Sequence, residues 1–118
     1  MLVLTFNVDG RDNCVTVDGA PYVYARTEQG PLVLAARCPH RGGPLHLATP
    51  GPDGTRLVCP WHERSTSLAR LRRGAPPAVR RGNVVTAVFP GGDGTPHHLE
   101  HRPRSAALTS GRRLQEPR

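Results

Sequence analysis

Lysine is absent from this sequence, and all 16 Lys-or-Arg positions are arginine. That uniformity reads first as a G+C-rich coding bias, not as a functional choice. Aromatic residues are scarce, at 4% of the 118 residues. No aromatic platform is interleaved with the arginines and no nucleic-acid-binding motif accompanies them, which argues against a nucleic-acid reader. No apolar run approaches the roughly 20 residues needed to span a bilayer. The opening "MLVLTFNVDG" lacks the basic n-region of a signal peptide, and its apolar run is short. Three cysteines, an odd count, do not make a fully paired secreted disulfide framework. These absences lead to an expectation of the reducing cytoplasm, with no membrane and no nucleic acid among the partners.

What the sequence does have is turn residues. Gly and Pro each number 13, a composition that suits a loop-rich β structure of one small domain. The apolar core of such a chain is modest, so a bound metal centre would contribute much of its stability. Charge is unevenly spread. Residues 1–63 hold 5 Arg and 6 acids, whereas residues 64–118 hold 11 Arg and 3 acids, so the net charge of +7 belongs to the second part. A basic face of this kind attracts an acidic protein partner or stays solvated.

Short apolar or alternating runs read as strands: "LVLTFN" (2–7), "CVTV" (14–17), "YVYAR" (22–26), "LVLAAR" (32–37), "TRLVC" (55–59), "SLARL" (67–71) and "NVVTAVF" (83–89). Turn pairs at Asp9-Gly10, Asp18-Gly19 and Gln29-Gly30 separate the first four. The expected fold class is therefore all-β. From Pro103 the sequence has little apolar content and no period, which predicts a domain over 1–102 and a flexible basic tail over 103–118.

Two stretches carry the chemistry. "ARCPHRGGPL" contains Cys38-x-His40, and "VCPWHE" contains Cys59-x-x-His62. Each follows a strand, in the loop position where a rigid sheet holds ligands with their tips exposed. Thiolate and imidazole together select zinc, copper or iron–sulfur chemistry. Structural zinc sites usually group Cys with Cys and His with His, whereas here every loop supplies one of each. A two-iron centre accounts for that mixture: each loop sends its cysteine to one iron and its histidine to the other. A structural zinc domain remains the alternative use of the same four ligands.

"CPHRGGPL" followed by "CPWH" closely resembles the cluster loops of Rieske-type ferredoxins and of the N-terminal domains of Rieske oxygenases. The likeness extends more weakly from Asn7 to Phe89, and "RRGAPPAV" looks like the family's proline-rich loop over the cluster. The resemblance implies stacked antiparallel sheets with two cluster-binding loops at one tip. It implies one 2Fe-2S cluster, with Cys38 and Cys59 on the inner iron and His40 and His62 on the outer. Gly42 and Gly43 would admit close backbone approach to the sulfides, and Trp61, Arg64 and Thr66 would surround the ligands. The family's respiratory members carry a further cysteine in each loop, joined as a disulfide. Gly43 and Trp61 stand there instead, and Arg64 and Thr66 replace a serine and a tyrosine that raise the potential. Low potential is the expectation. Glu63 departs from the family, which usually has glycine after the second histidine.

The other candidates have plainer readings. Pro44 and Leu45 would form an apolar rim, His46 would be exposed, and Cys14 would pack as a small hydrophobe. "HHLEH" (97–101) offers His97, His98, Glu100 and His101 as ligands, but adjacent strand residues face opposite ways. The resemblance implies a ferredoxin, not an enzyme, with no catalytic residues. Its partners would be a flavin-dependent reductase and a terminal oxygenase or similar redox enzyme. Arg70, Arg72, Arg73, Arg80 and Arg81 would steer an acidic docking surface. A non-catalytic subunit or redox-sensing module of a larger complex is the other reading.

Overall fold

A computed structural model of the chain describes residues 1–27, 29–61, 64–92 and 94–110. Among these residues, ten strands make three antiparallel sheets. The first joins β1 (Leu2–Asn7), β9 (Val84–Phe89) and β8 (Ala78–Arg81), in the order β1-β9-β8. The second joins β2 (Cys14–Val17), β3 (Ala20–Thr27), β4 (Gly30–Ala35) and β10 (His97–Glu100), in the order β10-β2-β3-β4. The third is small and joins β5 (Thr49–Pro50), β6 (Arg56–Val58) and β7 (Ser65–Ser67) in sequence order. The all-β expectation is met. No helix among the described residues is long and apolar enough to cross a membrane.

The second sheet is the shared wall of two apolar cores, which is why β2 is buried along its whole length. Successive strand residues point to opposite faces. Val15 and Val17 of β2, Tyr24 of β3 and Val33 of β4 face a core completed by Phe6, Val8, Val85, Ala87 and Phe89. Cys14, Val23, Ala25, Leu32 and Leu34 face the other way, into a core shared with Cys38, Leu45, Ala48, Leu57, Cys59, Leu68 and Leu108. Asp18 (φ 50°) and Gly19 (φ 84°) both lie in the left-handed region, as the tight two-residue turn between β2 and β3 requires.

Three expectations change. The run "SLARL" is not a strand: its last four residues begin helix α1 (Leu68–Arg73). Ser67 caps this helix, its Oγ accepting from the Arg70 N–H at 3.1 Å, and Gly74 ends it. Leu68 and Leu71, three apart, then turn one face to the core. A five-residue apolar run carries too little period to separate the two structures. Sequence reading also missed β5, β7 and β8, short strands defined by their partners and not by their own patterns.

The segment from Pro103 is the third change, because its described part is docked. The Arg104 guanidinium donates to the Tyr24 carbonyl at 2.7 Å and pairs with Asp9. Ser105 donates from its N–H to the His46 carbonyl and from its hydroxyl to the Ala48 carbonyl, at 3.0 and 2.6 Å. Helix α2 (Ala106–Ser110) follows and buries Leu108 completely. One apolar anchor and three backbone acceptors outweigh the polar character that suggested a tail. Residues 111–118 lie outside the described residues.

Candidate metal centre

Both Cys/His loops leave the ends of strands, as expected. Cys38 lies three residues beyond β4, in a loop closed on itself: its N–H donates to the Gly43 carbonyl, and the Gly42 N–H donates back to the Cys38 carbonyl, both at 2.8 Å. Gly42 sits at φ 74°, the left-handed conformation that the turn demands. Cys59 directly follows β6, and its N–H donates to the Arg64 carbonyl at 2.7 Å. The β6–β7 ladder thus continues through Cys59 and Arg64 and sets the base of the second loop.

The two loops meet at Gly43. A Cβ there would lie 2.8 Å from Cys59 Sγ and 2.9 Å from Trp61 Cγ, closer than real Cβ contacts come. Gly43 is therefore required by packing: the first loop's backbone lies flush against the second loop's thiol. Trp61 presses its Cβ and Cγ on this glycine while half of the residue, 51%, stays exposed. It is both a spacer between the loops and a surface group.

A cavity of about 200 Å³ opens between them, lined by Cys38, His40, Arg41, Cys59, Trp61 and Arg64. The thiols of Cys38 and Cys59 are buried and free of any disulfide, whereas His40 is exposed. His40 Nδ1 lies 3.2 Å from Cys38 Sγ, so the imidazole turns this nitrogen inward. Burial pushes the Cys59 thiol above the ordinary range, and the neighbouring Cys38 thiol adds to the rise. A backbone N–H from Trp61 opposes both. This donor set is apolar-walled on the sulfur side and open to water on the nitrogen side.

Among the described residues no three His, Cys, Asp or Glu side chains converge on one point. His62, the fourth sequence-predicted ligand, and Glu63 lie outside the described residues. The three ligand candidates that are described line one cavity, and two thiols with an imidazole are the donor types of the group that the resemblance implies.

The surrounding residues divide. Trp61 and Arg64 line the cavity, and Gly43 packs against Cys59. Thr66 does not line it: the residue is buried in β7 opposite Leu57, its hydroxyl without a partner among the described residues. Leu45 is fully buried in the core and so is no rim residue. His46 is buried too, at 7% exposure, with Nδ1 3.4 Å from the Ala36 carbonyl. The 3₁₀ turn Leu45–Leu47 rotates it inward, a local geometry that the letters alone do not carry.

The stretch "RRGAPPAV" runs beside the site and not across it. Gly74 and Ala75 reach the foot of the first loop at Pro39, while Pro76 and Pro77 lie along Pro31, Leu32 and Val33. In "HHLEH", His98 pairs with Glu100, while His97 and His101 bind the carbonyls of Thr95 and Gly10. These histidines are occupied structurally. Arg41 was missed as a site residue, although its position directly after His40, at a loop tip, was the available signal.

No curated protein and no solved structure matches the chain. The family model for the Rieske [2Fe-2S] domain does match, over residues 4–70. That span starts in β1, contains both Cys/His loops and ends within α1. The chain belongs to the Rieske [2Fe-2S] domain family, a family of iron–sulfur electron-transfer domains.

Proposed function

We propose that this chain is a small cytoplasmic Rieske ferredoxin. In this reading Cys38 and Cys59 as thiolates, with His40 and His62 as neutral imidazoles, would hold a 2Fe-2S cluster, two cysteines on one iron and two histidines on the other. When bound, the cluster supplies a one-electron redox couple. The chain takes single electrons from a flavin-dependent reductase and hands them to a terminal oxygenase or similar redox enzyme.

The observation that carries this reading is the split burial of one donor set: two buried thiols and an exposed imidazole on a single cavity. Each group then has a definite task. The Cys38 and Cys59 thiols lose their protons on metal binding, which makes assembly pH-dependent. The Trp61 N–H directed at Cys59 favours the thiolate. Gly43, flush against Cys59, lets the two loops close together on the sulfur side. His40, at the surface, makes the short path between the site and a docked protein.

The absence of disulfide-forming neighbours in the two loops supports a potential toward the low end of the Rieske span of about −150 to +300 mV. Redox titration of the purified protein tests both points. The expected result is uptake of one electron per chain at a potential below zero. A midpoint well above zero contradicts the low-potential assignment, and no electron uptake contradicts the carrier reading itself.

A further inference from the structure

The arginines fall into two groups by what their guanidinium groups touch. Several are spent inside the molecule. Arg72 donates to the carbonyls of Gln29, Gly30 and Pro31 at 3.0 to 3.3 Å, clamping the β3–β4 turn. Arg80 donates to the Gly82 carbonyl and lies 5.4 Å above the Tyr24 ring. Arg56 binds Ser65, and Arg102 and Arg104 pair with Glu100 and Asp9. Of the five arginines that sequence reading assigned to steering, Arg72 and Arg80 thus have structural work.

Arg37, Arg41, Arg64 and Arg70 differ. Each is exposed, and none makes a side-chain hydrogen bond or ion pair among the described residues. Arg41 and Arg64 line the cavity of the Cys/His loops. Arg37 and Arg70 line a neighbouring groove of about 210 Å³, whose other walls include Pro39 and Leu71. The two recesses adjoin at consecutive residues, Pro39 in one and His40 in the other. Among the described residues, no acidic side chain lines either of them. Two guanidinium groups without a partner among the described residues thus share the cavity of the exposed imidazole and two more line the adjoining groove, interleaved with proline, leucine and the half-exposed Trp61.

We infer that these four arginines form a docking collar for a protein partner that presents carboxylates around an apolar centre, which would meet Trp61 and Pro39. The inference rests on the proposed electron-carrier reading and names the surface through which that carrier works. A guanidinium fork matches a carboxylate with two parallel hydrogen bonds. Electron-transfer encounters use small interfaces, generally below about 1,200 Å², so a few charges flanking one aromatic suffice to orient the partner. Opposite charge also raises the encounter rate, and salt lowers it. A protein is favoured over nucleic acid because the guanidinium groups surround a recess with apolar walls, and the single aromatic there, Trp61, is not a row of faces on which successive bases stack.

The test uses the protein as purified, with poly-L-glutamate as the acidic probe, and a DNA duplex and phosphatidylserine vesicles as competing polyanions. Affinities are measured by titration calorimetry at low salt. The triple variant Arg37→Gln, Arg41→Gln and Arg70→Gln is compared with a control of equal charge, Arg11→Gln, Arg26→Gln and Arg81→Gln. The control residues are exposed and line neither recess. The collar variant is expected to lose polyglutamate affinity on the order of tenfold, and the control about twofold or less. Equal losses in the two triples overturn the collar, as does tighter binding of the duplex or the vesicles than of polyglutamate. Iron and sulfide content, measured on the same samples, separates the two hypotheses. A collar that fails on cluster-loaded protein leaves the carrier reading standing, and protein without a cluster fails that reading whatever polyglutamate does.

Discussion

The two apolar cores on either side of the second sheet differ in how they are closed. The core beneath β1 and β9 holds Phe6, Tyr24, Phe89 and a set of valines, walled by two regular sheets. Tyr22 and Phe89 add an edge-to-face contact, with ring centroids 4.9 Å apart. Among the described residues, the core beneath the Cys/His loops contains no aromatic side chain and includes three cysteines. Its outer wall is assembled from a 3₁₀ turn, the small third sheet and the helices α1 and α2. One half is thus closed by strand ladders and large side chains. The other is closed by loops, short helices and a short-stranded sheet around leucines and cysteines.

Truncation of the first core has the largest expected effect. Phe6→Ala removes a fully buried ring and should lower stability by about 3–5 kcal/mol, seen as a drop in the denaturation midpoint. Iron content per folded chain should not change. Loss of iron in parallel with stability would mean that the two cores do not behave separately.

Leu108→Ala probes the second core from outside the family-matched segment. The residue is fully buried in the same cluster as Cys38 and Cys59, so a loss of about 2–5 kcal/mol is expected. Hydrogen exchange should quicken first around residues 38–48 and only later in β1 and β9. Uniform quickening would erase the distinction between the halves.

Gly43→Ala places a methyl 2.8 Å from Cys59 Sγ. Overpacking of this kind costs about 1–3 kcal/mol, but its main readout is iron retention, since the loops must separate to admit the methyl. A variant that keeps its full iron content through gel filtration would show that the loops part without penalty.

The smallest effect is a pH dependence. Burial holds the His46 imidazole below its ordinary pKa, and the nearby Arg102 pushes the same way, against the Ala36 carbonyl. A histidine depressed in the fold binds its proton more readily when unfolded. Its contribution is therefore present above about pH 6.5 and is lost as pH falls below that value. His46→Gln should flatten the part of the stability profile just below pH 6.5. An unchanged profile would assign that slope to other groups.

Much of this architecture was legible in the letters, for identifiable reasons. The long strands β1, β3, β4 and β9 announce themselves by apolar content and bounding turns. The mixed Cys-x-His and Cys-x-x-His spacing marks the two loops that the structure brings together at one cavity. Thr49–Pro50 and Ser65–Ser67 were not legible as strands, because they are too short to carry a period and exist only through pairing with β6. The helix at Leu68 hid behind a run compatible with either structure. His46 and Leu108 were read as surface because their burial depends on contacts distant in sequence: Ala36 and Ser105 for one, the loop core for the other.

Iron and acid-labile sulfide analysis, combined with the EPR spectrum of the reduced protein, tests the central claim most directly. Two irons and two sulfides per chain are expected, with a reduced-state signal that disappears in Cys59→Ser. Colourless protein carrying zinc, without sulfide and without a signal on reduction, would contradict the two-iron centre.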